Sequence, residues 1–261
     1  MPEDLQPPVG VLIREWRGLR RLSQLELALE ADISTRHLSF VETGRAAPSR
    51  DMVLLIAERL DVPLRDRNRL LLAGGYAPVY PESALDSAPM SVVRAALRQL
   101  LAGHDPYPAV VVDRFWNLVD QNASASILTS GVSAELLTPP ANVLRITLHP
   151  QGLASRIVNL GETRAHLLGR LRRQITMSND AGLAALYAEL SAYPCADAVP
   201  EVELPSPGDV VIPLRLRHEG RELSFLSTIA TFGTPLDITA AELVIESFYP
   251  ADELTAQVLR A

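Results

Sequence analysis

Lysine is absent from this chain: all 24 basic residues among its 261 are arginine. A fork of donors is therefore available wherever a cation stands, although coding bias toward arginine is sufficient to explain the pattern. Cysteine is limited to Cys195, which excludes an intramolecular disulfide and a cysteine-built zinc site. The five histidines are scattered without metal-ligand spacing, so neither a metal nor a cofactor is expected. Aromatic residues make up 5% against 48% hydrophobic, so the interior should be mostly aliphatic. No run approaches the roughly 18 apolar residues of a membrane span. Acids and prolines stand near the start, where a signal peptide has basic and apolar runs. A cytoplasmic location without membrane attachment is the expectation. The sequence also lacks Gly-x-Ser-x-Gly, the lysine-bearing phosphate loop and His-Glu-x-x-His, so no enzymatic chemistry is expected.

What is present divides by charge. The formal net charge of −7 argues at first against a nucleic-acid partner. Residues 9–75, however, carry 11 arginines against 9 acids, and residues 76–261 carry 13 against 20, with Glu3 and Asp4 outside both. A mildly basic head joined to an acidic body fits a reader that neutralises few phosphates. It does not fit a non-specific coat protein, whose affinity needs many cations.

Within the head, Leu22 to Arg45 reads as two short helices joined by a tight turn. Ser23 and Ser34 stand where N-caps should, each satisfying a free backbone N–H for about 1 kcal/mol. Glu26, three residues after Ser23, completes a capping box. Leu27, Ala28 and Ala31 mark the inward stripe of the first helix, and Leu38 and Val41 that of the second. Thr35, Arg36, Ser39 and Phe40 remain outward, with His37 beside them. A helix from Val11 to Arg20 precedes the pair, with Leu12, Trp16 and Leu19 on one face. Another is capped by Ser49, with Val53, Ile56 and Leu60 inward. A fifth, Leu64 to Ala73, stops at Gly74-Gly75. Residues 9–75 thus read as an all-α, five-helix domain that lays one helix in a DNA groove.

The string Arg17…Ser23-Gln24…Leu27-Ala28…Ile33-Ser34…Leu38…Glu42-Thr43-Gly44-Arg45…Pro48-Ser49…Ile56-Ala57…Leu60 resembles the phage-repressor or Xre class of helix-turn-helix domains. The resemblance implies double-stranded DNA as partner. Gln24 would hold a phosphate, and Thr35 and Arg36 would reach base edges. Ser39 and Phe40 would face the groove and Thr43 to Arg45 would touch the backbone; Ser34 and His37 belong to the same DNA-binding set, His37 as an exposed or phosphate-facing residue rather than a reader. Arg17 and Glu42 fall where that class has a structural ion pair. Arg36 either reads a guanine or holds a phosphate; Phe40 either meets a thymine methyl or packs back against the next helix.

Residues 76–90, rich in Pro, Gly and Ser, read as a connection. From Ser91 a helix runs through Val93, Leu97, Leu100 and Leu101. Ala109–Asp113 and Phe115–Asp120 read as a strand hairpin. The next stretch is mostly helical, with Ile157, Leu160, Leu168, Leu171 and Ile175 along one long helix and a second opened by Asp180. Val210 to Arg217 alternates, Glu219-Gly220-Arg221 turns, and Leu223, Phe225, Ser227 and Ile229 alternate again. Leu243 to Tyr249 gives a last strand, and Pro213 belongs at an edge.

Two strands, a helical insert and three strands is a PAS-like order, giving a five-stranded antiparallel sheet over residues 91–261 and an α+β chain overall. Ile33–Arg45, Tyr107–Asn117, Asn142-Val-Leu-Arg145 and Ala165-His-Leu-Leu168 are similar to the MmyB-like regulators, in which an Xre-type head precedes such a domain. That resemblance implies a transcriptional regulator controlled by a small apolar effector, of fatty-acyl type, acting as a homodimer on a roughly palindromic operator. Trp116, Arg145 and Arg164 are the residues it brings to a ligand; either arginine holds a carboxylate, or is solvated or pairs with acids, and Trp116 lines the pocket or belongs to the core. Where an aromatic is expected before Arg164, this chain has Thr163. His149 and His166 read as surface or structural residues. The competing reading makes the second domain a ligand-free dimerisation or partner module.

Overall fold

A computed structural model of the chain describes residues 7–178, 180–197 and 211–260. It divides into two compact units, the first running to Ala84 and including Thr234–Ala241, the second taking in the remainder from Leu85. Of residues 76–90, those up to Ala84 fall in the first unit and the rest in the second.

The first unit begins with five helices: α1 (Val9–Leu19), α2 (Gln24–Glu30), α3 (Thr35–Glu42), α4 (Arg50–Arg59) and α5 (Leu64–Ala73). Serine capping sets three of their starts. Ser23 Oγ accepts from Glu26 N while Glu26 reaches back to Ser23 N, a complete capping box. Ser34 and Ser49 accept from His37 N and Met52 N at 3.1 and 3.3 Å. Between α2 and α3 the chain turns through Asp32 at φ 51°, a left-handed position that aspartate tolerates better than most side chains.

Ile13, Leu27, Ala28, Leu38, Val41, Ile56 and Leu60 meet in one core. The inward stripe of α1 differs from expectation. It runs through Ile13 and Trp16, leaving Leu12 half-buried and Leu19 41% exposed. At 3.6 residues per turn, Leu12 and Leu19 fall on the flank of a face centred between Ile13 and Trp16. Gly10 lies in the first turn of α1, where a Cβ would stand 2.1 Å from the Val41 carbonyl oxygen of α3. Gly10→Ala should therefore force the helices apart and cost about 1–3 kcal/mol. An unchanged melting temperature would show that α1 can shift freely.

The second unit is built on α6 (Ser91–His104), β1 (Ala109–Val112), β2 (Leu118–Gln121), the insert helices α7 (Ser126–Thr129), α8 (Val143–Leu148), α9 (Leu160–Ser178) and α10 (Ala181–Ser191), and then β3 (Leu214–His218) and β4 (Arg221–Ala230). The strand β5 (Val244–Pro250) and α12 (Glu253–Arg260) complete it, while a short α11 (Ile238–Glu242) before β5 falls, up to Ala241, in the first unit. The sheet is antiparallel in the order β2-β1-β5-β4-β3. This is the five-stranded α+β arrangement expected from two strands, a helical insert and three strands.

Strand alternation separates two layers. Ala109, Val111 and Ile245 pack with Leu97 and Leu101 of α6. Val110, Val112, Val244 and Phe248 join Leu144, Leu148 and Leu171 of the insert on the other face. Glu219 and Gly220, at φ 49° and 76°, make the two-residue turn between β3 and β4, the left-handed pair such hairpins favour. Pro213 precedes β3, an edge strand where its missing donor is tolerated. Val210, the expected start of that strand, lies outside the described residues, as do Glu3 and Asp4. Ile157 is not helical but bridges Leu216. Neither α11 nor α12 was expected; Asp237 and Asp252 cap their first turns.

Candidate functional site

In the first unit, α2, the turn and α3 are held by one carboxylate. Glu42, at the end of α3, accepts from Arg17 Nε and Nη2 at 2.7 and 2.9 Å and from Gln24 Nε2 at 2.7 Å. Arg17 Nη1 also donates to Leu22 O at 2.8 Å. A single buried group thus ties α1, the loop after it, and the start of α2 to the end of α3. Burial raises the Glu42 carboxyl, but the bonds from Arg17 and Gln24 outweigh it and hold the group below the usual carboxylate range.

Glu42 aligns one outward edge. Gln24 is the first residue of α2, with its side-chain amide spent partly on Glu42. Its backbone N–H belongs to a first helical turn, where donors lack intrahelical partners and suit phosphate. Ser34 is exposed as the cap of α3, and Arg36 is exposed within its first turn. Thr35, His37, Ser39 and Phe40 are half-buried around it. The Arg36 guanidinium lies 5.3 Å from the Phe40 ring centre and that of Arg45 lies 6.0 Å from it. Two cations of the candidate surface therefore stand near one aromatic ring. Thr43 is exposed, and its hydroxyl donates back to Ser39 O at 2.7 Å.

The second unit holds a partly open cavity of about 120 Å³ between the sheet and the insert helices. Val110, Leu118, Leu144, Ile146, Phe225 and Phe248 give it aliphatic and aromatic walls. Trp116 also lines it, in an unusual way. The turn between β1 and β2 is gripped by Asp113, whose Oδ1 accepts from Phe115 N and Asn117 N, and by Asn142, which donates to Phe115 O. Trp116 is thereby held at φ 67°, a left-handed conformation costly for a bulky residue. Its Nε1 donates to Gln174 Oε1 of α9 at 2.9 Å, and Arg170 stacks 4.2 Å from its ring centre.

The two arginines named with Trp116 stand elsewhere. Arg145 forms a two-point pair with Glu189 at 2.8 Å for each bond. Arg164 is buried and donates to Tyr193 O and Ser191 O, closing the carbonyl end of α10. Neither lines the cavity. Sequence reasoning missed Glu246 and Ser227 and set aside His166, all three on the cavity wall together with Thr163. Strand parity could have found Glu246, since Val244 and Phe248 share its face of β5.

A helix-turn-helix family model matches residues 13–66. The model for the MmyB-like transcription regulator ligand binding domain matches residues 93–261. No match was found among curated proteins. Both matched families are those of transcription regulators. The second spans well over half of the chain and all the elements that enclose the cavity. A DNA-binding helix-turn-helix unit followed by a ligand-binding domain with this sheet order makes the chain a member of the MmyB-like, Xre-type transcription regulators.

Proposed function

We propose that this regulator is a one-component sensor: a homodimer on a roughly palindromic operator, whose occupancy is set by a small apolar effector in the second unit. The observation that supports the effector reading most is the aliphatic cavity itself, lying within the matched ligand-binding domain. A dry cavity of roughly 150 Å³ accepts benzene, so about 120 Å³ takes about six carbons, with a longer acyl chain extending through the open side. The scarcity of aromatics suits an alkyl chain better than a flavin, which needs stacking partners. A homodimer is favoured because one helix-turn-helix unit covers too few base pairs for selectivity. Effector control then requires unequal affinity for two dimer arrangements, since equal affinity shifts nothing. Such a protein acts in the cytoplasm.

Native mass spectrometry of freshly purified protein tests both halves of the reading. The expected result is a dimer carrying, or taking up, an alkyl-chain mass. A dimer that takes up no such molecule would leave the second unit as a dimerisation module. A monomer that holds its operator site with full selectivity would sink the dimer.

A further inference from the structure

The polar part of the cavity wall is chemically unlike the rest. Among its described lining residues only His166 and Glu246 are ionisable. No arginine lines it, and the chain has no lysine. Glu246 lies on the inward face of β5 between Val244 and Phe248, with its side chain 12% exposed. Ser227 of β4 stands on the same cavity wall and acts to lower the Glu246 carboxyl. Arg170 of α9 faces it, with Nη1 3.7 Å from Oε2. That guanidinium is stacked on the Trp116 ring and is not part of the lining. Thr163, on the same wall, has a buried hydroxyl oxygen with no hydrogen-bond partner among the described residues.

A ligand carboxylate entering this end would shed its water. It would find no arginine on the wall and would lie against another carboxyl. A hydroxyl loses far less hydration and can donate to the Glu246 carboxyl. Burial also pushes the Glu246 carboxyl above its ordinary range, against the pull of Arg170, Ser227 and His166.

Building on the sensor reading above, we infer that the cavity selects an apolar molecule whose buried head is an uncharged hydroxyl rather than a carboxylate, with Glu246 recognising that head. Isothermal titration of the full chain with matched straight-chain alcohols and carboxylates of about six to twelve carbons tests this. At neutral pH the alcohols should bind at least about tenfold tighter at the best-fitting length. Glu246→Leu should bring the two series to within about threefold. Glu246→Gln, which keeps a donor and an acceptor and preserves the shape, should retain the preference for the alcohol. Carboxylates binding as well as alcohols would overturn the inference and leave the sensor reading standing. A cavity that binds neither series would overturn both.

Discussion

Replacing Glu42 with alanine is expected to destabilise the first unit by about 3 kcal/mol or more. The side chain is 1% exposed and its partner Arg17 is 15% exposed, so the ion pair is shielded from the water that makes surface pairs nearly worthless. Removing the carboxylate leaves a guanidinium and the Gln24 amide without their acceptor, beside a core that cannot supply another. Breaking such a pair from one side costs far more than replacing both partners. Arg17→Met combined with Glu42→Leu should therefore recover part of the loss. The pH dependence has a definite sign. The Glu42 carboxyl is held below its unfolded value, near pH 4.3 for a free glutamate. Its contribution is present in full above that value and is lost as pH falls through the folded one. Urea unfolding of wild type and Glu42→Gln should accordingly differ at neutral pH, and the difference should shrink as pH falls below about 4. An alanine variant within about 0.5 kcal/mol of wild type would show that the pair is dispensable.

The second large effect is on DNA. Arg36→Ala should lower affinity for a selected operator by about 1–3 kcal/mol while leaving binding to random duplex nearly intact. Arg36 is the exposed cation in the first turn of α3, and a guanidinium that pairs with a guanine edge discriminates where a phosphate contact does not. Its neighbour Phe40 limits where that guanidinium can go, at 5.3 Å from the ring centre. The side chain thus approaches the groove with fewer rotamers to lose. Lysine should not substitute, because a point charge lacks the two-donor fork. Competition binding at a fixed salt concentration gives the answer. An equal loss on both DNAs would make Arg36 a phosphate holder.

The local chemistry of this chain was legible. Ser23, Ser34 and Ser49 cap as their sequence contexts require, because capping depends on residues only three apart. The Glu219-Gly220 turn and the strand-helix-strand order behaved the same way. What escaped was set by partners distant in sequence. Arg164 reads like any helical arginine until α10 ends beside it and offers two carbonyls. Arg145 likewise has no visible partner until the insert folds Glu189 against it. Glu246 drew no reading from the sequence, yet Val244 and Phe248, two residues to either side on β5, pack into the insert-facing core. The left-handed Trp116 depends on Asn142, more than twenty residues away. Leu19 failed for a simpler reason: an apolar residue at helical spacing can still fall on the flank of the buried arc.

The chain has two tryptophans, and the fold assigns one to each unit. Trp16 is buried in α1 with Arg20 5.3 Å from its ring centre, and Trp116 lines the cavity with Arg170 at 4.2 Å. Each indole therefore sits beside a fixed positive charge, the kind of neighbour that shifts an emission band. Two single-tryptophan proteins would turn intrinsic fluorescence into separate optical channels, one reading the helix-turn-helix unit and the other the wall of the cavity.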